Sequence, residues 1–354
     1  MNGDATAAAG RVSRDTPVVS LAGDGDRAEW DAFVLRAQAS GYHAWAWRDV
    51  FRRAFGHAPL YFIARAGGQT VGVLPTVFIR GLVFGRTLTS LPFVNYGGVV
   101  AESPDAACAL LEAALTVARE RRCRHLELRH THRLFPQLHD RQHKVAMRLR
   151  LAPGLWERLD RKVRNQVRKA EKSGLSATSG GRELVDEFYT VFARNMRDLG
   201  TPVYARRFFE EILGTFSSRT RLHVVRLDRA PVAAALTYRT GGTIEVPWAS
   251  SIRTYNSLCP NQLLYWTMIQ YALDEGSDSF DFGRSTPGGG TYRFKAQWGA
   301  EPHQLHWEYW TAPGREVPDT SPANPRYRLA IALWKKLPLP ISRAIGPLIV
   351  RLIP

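Results

Sequence analysis

Cysteine, long apolar runs and acidic residues are all scarce in this sequence. Its 354 residues include three cysteines, Cys108, Cys123 and Cys259, which are too few and too widely spaced for a disulfide framework or a zinc ribbon. No stretch reaches the roughly 18 consecutive apolar residues of a membrane span. The first residues lack the basic and apolar regions of a secretory signal. We therefore expect a cytoplasmic protein.

The shortage of acidic residues gives a net charge of +16, which is concentrated in three segments. Residues 119–150 hold ten basic and three acidic side chains, residues 155–174 hold seven and three, and residues 326–354 hold six and none. Localised positive charge predicts anionic partners, such as phosphates, nucleic acid or an acidic membrane surface. An arginine-rich composition imposed by the genome is the alternative.

The chain is long enough for two domains, and its hydrophobic fraction of 45% allows substantial cores. Residues 1–17, rich in Ala, Gly, Ser and Asp, are expected to lack structure. Hydrophobic periodicity predicts helices and strands in two similar series. The first has helices at 27–39, 45–55 and 104–121 and strands at 60–66, 70–79, 125–129 and 144–151; the second has helices at 155–172, 182–198, 205–216 and 260–275 and strands at 221–227, 231–239, 243–250, 279–283 and 303–310.

Turn and cap signals support this division. Gly67-Gly68 predicts a hairpin turn, and Ser103-Pro104 predicts the start of a helix. We expect an α/β (α+β) fold with two tandem lobes, each a mixed, largely antiparallel sheet flanked by helices. The expected ranges are 18–152 for the N-terminal lobe, 153–312 for the C-terminal lobe with most of the site, and 313–354 for a linker and tail.

The predicted helix at 155–172 has one apolar stripe and one strongly basic face. The stripe contains Leu155, Leu159, Val163 and Val167, and the basic face contains Arg161, Arg164, Arg168 and Lys172. Like charges on one helix face repel each other, so a bound anion would stabilise this arrangement. The functional hypothesis is a clamp for a phosphorylated donor or acceptor, and the alternative is a solvated helix face.

The segment 279–285 places a carboxylate near the end of a buried strand. Phe280 and Phe282 point to one side and Asp281 to the other. Asp281 could act as a base or orient an amine in a pocket, or it could pair with a nearby arginine. The following segment, 288–299, combines three glycines with Lys295 between aromatic residues, which favours a lid over a reacting carbonyl. A lysine packed along its stem is the alternative.

Five histidines between residues 125 and 143 suggest a metal site. His130 and His132 share a strand face, but no cysteine or carboxylate follows at a familiar ligand spacing. We therefore expect no metal.

Several segments together resemble the Fem/GNAT-like acyltransferases, in particular the branch associated with exosortase (PEP-CTERM) exopolysaccharide systems. They are NYGG at 95–98, RNQVRKAEKSG at 164–174, LGTP at 199–202, FDFGRS at 280–285 and GTYRFKAQWG at 290–299. The resemblance implies two GNAT-like lobes and transfer of an acyl or aminoacyl group to an amine. It also implies that Lys295 stabilises developing negative charge, and it places Asn95, Tyr96, Arg284, Tyr292 and Phe294 in the substrate cleft.

The resemblance leaves the donor and the acceptor open. The expected donor is a co-substrate carried by acyl-CoA, acyl-carrier protein or aminoacyl-tRNA, with no tightly bound cofactor. Segment 253–260 lacks the glycines that cradle pyrophosphate, which argues against CoA. The segment 182–217 lacks the long charged hairpin of some Fem proteins, which argues against tRNA. The expected acceptor is a phosphorylated or lipid-linked precursor of an envelope glycan, exopolysaccharide or peptidoglycan; a non-catalytic module that binds RNA or an acidic glycan is the alternative function.

The last segment, 326–354, is basic, apolar and rich in helix formers. A helix is expected over 326–337 and is interrupted by Pro338 and Pro340. Neither half can span a bilayer. Such segments favour the interface of anionic membranes, which would attach the protein to the inner leaflet of the plasma membrane. A tail that packs back on the second lobe is the alternative.

Overall fold

Two sheets with flanking helices form the framework in the computed structural model, which describes residues 16–81, 84–319 and 324–353. The prediction of an unstructured N-terminus therefore lies, for residues 1–15, outside the described residues. The strands are, in chain order, β1 (Val18–Leu21), β2 (Ala58–Ala66), β3 (Gln69–Gly81), β4 (Gly85–Thr89), β5 (Val100–Ala101), β6 (His125–His130), β7 (His139–Arg141), β8 (Val145–Arg150), β9 (Leu175–Gly180), β10 (Thr220–Leu227), β11 (Ala230–Thr240), β12 (Thr243–Ser251), β13 (Ser279–Ser285), β14 (Glu301–Gln304) and β15 (His306–Thr311).

The helices agree closely with the periodicity of the sequence. They are α1 (Arg27–Arg36), α2 (Trp47–Phe55), α3 (Pro104–Glu120), α4 (Leu155–Arg158), α5 (Arg161–Lys172), α6 (Val185–Leu199), α7 (Arg206–Thr215), α8 (Pro260–Asp274), α9 (Gly290–Ala296), α10 (Arg328–Lys336) and α11 (Leu339–Val350). The Ser103 side chain caps α3 by accepting from the Ala106 amide at 3.2 Å, as the Ser-Pro signal predicts.

Each sheet is mostly antiparallel with one parallel pair among the strands described. The first sheet has the order β1-β2-β3-β4-β6-β15-β7, with β5 beside β3, and the second has the order β14-β8-β13-β12-β11-β10-β9. The parallel pairs are β4 with β6 and β12 with β13. The predicted fold class, two tandem mixed sheets with flanking helices, is confirmed.

The closing strands of the two series are exchanged between the sheets. We expected 144–151 to complete the first series and 303–310 the second. Instead β8 pairs with β13 and β14 in the second sheet, whereas β15 pairs with β6 and β7 in the first. Alternation along a strand predicts a strand but not its partner, because pairing depends on which sheet edge is free. β8, within the range predicted for the first lobe, thus belongs to the second sheet, and β15, within the range predicted for the second lobe, belongs to the first.

Two local expectations are wrong in detail. The predicted helix over 155–172 is interrupted because Leu159 is extended and Asp160 starts α5, where its side chain accepts from the Lys162 amide at 2.6 Å. The predicted strand end at Gly283 is also wrong, since β13 continues to Ser285. In both places a side-chain cap or a bulge overrides a pattern that is otherwise continuous.

An aromatic core joins the two lobes and fixes the face on which the site lies. The Tyr42 and Tyr238 rings stack at 5.6 Å between centroids, and Phe55 lies 4.8 Å from Phe208. Burial of each such ring stabilises the folded state by about 1.5–3 kcal/mol relative to an exposed ring. The residues around Tyr42 are therefore held firmly against the second sheet.

The C-terminal tail packs against α6 through one face and leaves another face exposed. Trp334 and Val350 are buried, and Arg197 of α6 donates to the Leu337 carbonyl at 3.0 Å. The exposed large apolar side chains of the tail are Leu329, Leu333, Ile341, Ile345, Leu348 and Ile349. Across the described residues, none of the helices combines the length and apolar character needed to cross a bilayer.

Candidate active site

Two buried carboxylates stand opposite each other on the parallel strands β12 and β13. The paired register runs from Thr243 and Ser279 to Glu245 and Asp281, and both strands continue beyond it. Glu245 is 6% exposed and Asp281 is 2% exposed. The pair therefore lies in the interior, next to the first lobe.

Three donors hold Asp281 in place. The Tyr96 hydroxyl donates to it at 2.6 Å, the Arg148 Nε at 3.2 Å and the Gly283 amide at 2.8 Å. Tyr96 comes from the first lobe, so Asp281 contributes to the contact between lobes. Asp281 thus pairs with an arginine, one of the two interpretations of the sequence, whereas its role as a base or as a group that orients an amine stays a prediction. The burial of Tyr96 and the adjacent Asp281 charge raise the pKa of its phenol well above its usual range.

Glu245 is the principal site residue that our sequence analysis missed. Its carboxylate accepts from the Tyr42 hydroxyl at 2.9 Å and from the Asn95 amide at 2.5 Å. Burial, followed by the negative charge of Asp281, raises the pKa of Glu245 to about 8. The sequence feature that could have identified Glu245 is an acidic residue between the apolar Ile244 and Val246 of a predicted strand.

A bulge in β13 brings Asp281 and Arg284 to the same side. Asp281 pairs with Arg148 and Arg284 with Ala146, so three steps on β13 match two on β8. Residues three apart on a regular strand point to opposite faces, and the extra residue restores a common face. Gly283 has φ +73°, and an added Cβ would lie 2.9 Å from the Asn95 amide nitrogen, so glycine suits both the conformation and the close approach.

Asn95 links Arg284 to Glu245 across the two lobes. Its amide oxygen accepts from the Arg284 Nε at 2.8 Å, while its nitrogen donates to Glu245. Burial, and next the charge of Arg129, lower the pKa of Arg284 to about 10. The predicted substrate-binding residues Asn95, Tyr96 and Arg284 therefore belong to one network with Asp281.

Lys295 projects from α9 into the same network. Its ammonium donates to the Gly283 carbonyl at 3.1 Å and to the Arg284 carbonyl at 2.9 Å. Burial lowers the pKa of Lys295 to about 8, and the charge of Asp281 opposes this shift. An ammonium has three N–H donors, and the third bonds to no side chain or carbonyl in the described part of the chain. Lys295 can therefore donate to a bound ligand.

The other predicted residues lie farther from this network. Tyr292 and Phe294 are on α9 and pack, half-buried, against the core of the second lobe. The α5 residues Arg161, Arg164, Arg168 and Lys172 make no hydrogen bond or ion pair to the site residues within the described ranges. The guanidinium of Arg168 lies 5.7 Å from the ring centroid of Trp156.

His130, one of the five histidines between residues 125 and 143, is held by hydrogen bonds through both ring nitrogens. His130 contacts Glu308 through Nδ1 at 2.5 Å and accepts from the Val99 amide through Nε2 at 2.9 Å. Both ring nitrogens are thus occupied. Among the described residues, no group of three histidine, cysteine or carboxylate side chains could hold a metal.

Two cavities border the residues that hold Asp281. One, of about 520 Å³, is lined by Tyr96, His43 and the start of α3. The other, of about 1250 Å³, is lined by Arg148, Arg158 and the end of α9. Both volumes can accommodate part of a substrate.

Comparisons with known proteins agree with this architecture. Residues 157–296 match the family model of the acetyltransferase (GNAT) domain. The chain therefore contains a GNAT acetyltransferase domain. Its predicted membership of the exosortase-associated branch stays a prediction.

The chain also resembles solved structures along most of its length. FemX has a TM-score of 0.60 at 14% identity and covers 89% of this chain and 100% of its own. A domain of a proposed lysylphosphatidylglycerol synthetase from Agrobacterium fabrum has a TM-score of 0.55 at 13% identity, and the match covers 88% of this chain and 95% of that domain's chain. A tandem GNAT protein from the clavulanic acid biosynthesis pathway has a TM-score of 0.55 at 14% identity, and the match covers 85% of this chain and 99% of that protein's chain. A sequence comparison with curated proteins finds no match.

Proposed function

We propose that this acyltransferase moves an acyl or aminoacyl group from an activated carrier to an amine of a cell-envelope precursor. The acceptor would be a phosphorylated or lipid-linked precursor of a glycan, exopolysaccharide or peptidoglycan. The observation that carries the proposal is the buried Lys295 ammonium, whose third N–H has no partner among the described residues and which interacts electrostatically with Asp281 and Glu245. The similarity to a domain of a proposed lysylphosphatidylglycerol synthetase, whose name denotes a phospholipid product, supports an envelope substrate.

The proposed reaction needs no covalent enzyme intermediate. The acceptor nitrogen attacks the carbonyl carbon, and the Lys295 ammonium stabilises the oxyanion that forms. Glu245 accepts the proton lost by the amine, and Asp281 with Tyr96 positions the reacting groups. The C–S or C–O bond to the carrier then breaks, and the leaving thiolate or alkoxide takes up the proton that Glu245 accepted, which restores the Glu245 carboxylate.

The carrier is proposed to be acyl-CoA, acyl-carrier protein or aminoacyl-tRNA. The segment Arg253–Leu258 is a 3-10 helix without glycine, and α8 begins at Pro260, which has no amide hydrogen. The backbone donors that would cradle a pyrophosphate at a helix start are therefore reduced here. This arrangement favours a carrier that is not held mainly through a pyrophosphate.

Mass spectrometry of envelope precursors tests the function. Cells that produce the protein should contain a precursor heavier by one acyl or aminoacyl group than cells that lack it. Cells that produce the Lys295→Ala variant should resemble the cells that lack it. Identical precursor masses in all three would contradict the proposal.

The anionic inner leaflet is a proposed partner of residues 326–354. The exposed Leu329 and Leu333 are one helical turn apart, as are Ile341 and Ile345, and the tail carries no acid. An apolar row flanked by exposed Lys335 and Lys336 matches the chemistry of an anionic lipid interface. This attachment would place the enzyme beside lipid-linked acceptors.

Vesicle flotation measures this attachment. Leu333→Glu combined with Leu348→Glu should lower binding to vesicles with anionic lipid by about tenfold or more, because two large apolar groups are lost from the interface. Both side chains are exposed, so the fold should be retained. Leu35→Glu, a single change at an exposed leucine of α1, is the control for an apolar-to-acidic substitution outside the tail. Equal binding by the tail variant and the control would exclude the tail from membrane attachment.

A further inference from the structure

Three cations near the site have no acidic partner. Arg129 pairs with Glu127 at 2.6 Å and Arg148 with Asp281 at 3.2 Å. In contrast, Lys144, Arg284 and Lys295 form no ion pair with any described residue. Burial lowers the pKa of Lys144, and the charge of Arg284 lowers it further. Neighbouring cations that are partly removed from water are unfavourable unless an anion compensates them.

Lys144 directly precedes β8, and its side chain bonds to the residue that directly follows β13. The Lys144 ammonium donates to the Thr286 hydroxyl at 2.7 Å, two residues after Arg284 in the chain, and it is close enough to Arg284 for the two charges to interact. The Lys144 carbonyl accepts from the Leu305 amide at 3.2 Å and from the Gln304 side chain at 3.0 Å. Lys144 is therefore held by hydrogen bonds of its side chain and its backbone carbonyl, and not by an ion pair with an acidic residue of the described chain.

Trp307 supplies a further donor beside Arg284. The Arg284 guanidinium lies 5.2 Å from the Trp307 ring centroid, and that of Arg129 lies 4.4 Å from it. Trp307 is 7% exposed, and its buried indole N–H has no partner among the described residues. A buried donor without an acceptor is unfavourable, and an acceptor group of a bound ligand would satisfy it. The terminal nitrogens of Arg284 likewise make no hydrogen bond to the described chain.

We infer that Lys144 and Arg284, with the Trp307 indole beside them, form a subsite for a substrate phosphate. The subsite rests on the proposed function, because it would hold the phosphate of the acceptor or the donor while Lys295 faces the carbonyl. Two cations of different geometry suit a phosphate, since a guanidinium donates to two oxygens and an ammonium acts as a point charge. The substrate class is thereby narrowed to phosphorylated compounds.

Calorimetric titration with inorganic pyrophosphate tests the subsite without any transfer reaction. Lys144→Met should weaken pyrophosphate binding at least tenfold, and Arg284→Gln at least as much. Arg150→Gln is the control, because it removes an exposed arginine at the far end of β8, and it should leave pyrophosphate binding unchanged. The melting temperature of Lys144→Met should equal or exceed that of the wild type, because a cation repelled by Arg284 is removed. A purely structural lysine would instead give a lower melting temperature.

Further variants separate this subsite from the basic face of α5 and from the transfer activity. Loss of pyrophosphate binding in Arg164→Gln with Arg168→Gln, but not in Lys144→Met, would place the anion on α5 and overturn the inference. Binding of acetate without binding of pyrophosphate would overturn the phosphate assignment. Pyrophosphate binding that depends on Lys144, in a protein that leaves envelope precursors unchanged, would support the subsite while contradicting the proposed reaction.

Discussion

Replacing Lys295 by alanine should lower kcat by about 10²–10³, the usual effect of removing one donor to a developing oxyanion. The ammonium is buried and already donates to the Gly283 and Arg284 carbonyls, so it requires no reorganisation before it meets a third acceptor. Its pKa of about 8 keeps it mostly charged at neutral pH. The change should affect kcat more than KM, because the oxyanion exists only in the transition state.

Steady-state kinetics with a thermal unfolding control measure this effect. Lys162→Ala on α5 removes an exposed lysine from the same lobe and should leave kcat unchanged. Lys295→Ala should still unfold cooperatively, since two carbonyl acceptors near a cleft can be hydrated. A folded Lys295→Ala protein with nearly full turnover would reduce Lys295 to a packing role.

Replacing Glu245 by glutamine should lower kcat at pH 8 by about 10²-fold, within the usual contribution of a general base. Glu245 must be ionised to accept a proton, so activity should rise with pH up to its pKa of about 8. Lys295 must be protonated to donate, so activity should fall above its pKa of about 8. The wild type should therefore show a narrow bell-shaped profile with its maximum near pH 8, governed by two interacting groups.

The pH profiles of the variants assign the two limbs. Glu245→Gln should lose the acidic limb, and Lys295→Ala should lose the alkaline limb. Glutamine can still accept from Tyr42 and Asn95 through its amide oxygen, so the geometry should be kept. An acidic limb that survives in Glu245→Gln would exclude Glu245 as the base and favour Asp281.

Stability gives an independent readout for Glu245. Because the folded state raises its pKa from 4.5 to about 8, the folded protein binds the proton more tightly than the unfolded chain. The stability contributed by this group is complete below the unfolded pKa and is lost as pH rises through about 8. The wild type should therefore lose stability relative to Glu245→Gln between pH 5 and pH 9. A constant difference would contradict the raised pKa.

Much of the site could be predicted because its residues occur in local motifs. Asp281, Arg284 and Lys295 lie within fifteen residues of chain and meet through one strand, one bulge and one short helix. The resemblance also associated Asn95 and Tyr96 with them, and these do contact Arg284 and Asp281. Glu245, Lys144 and Trp307 were missed because each acquires its environment only from distant segments.

The sequence by itself determined the local elements: the helix cap at Ser103, the hairpin at Gly67-Gly68 and the end of the tail helix before Pro338. These depend on backbone preferences and hydrogen bonds within a few residues. Only the tertiary structure decided that β8 and β15 exchange sheets, that Glu245 faces Asp281, and that Lys144 lies beside Arg284 rather than an acid. Strand partners and the pKa values of buried groups depend on the free edge, on burial and on neighbouring charge, which arise when remote segments pack together.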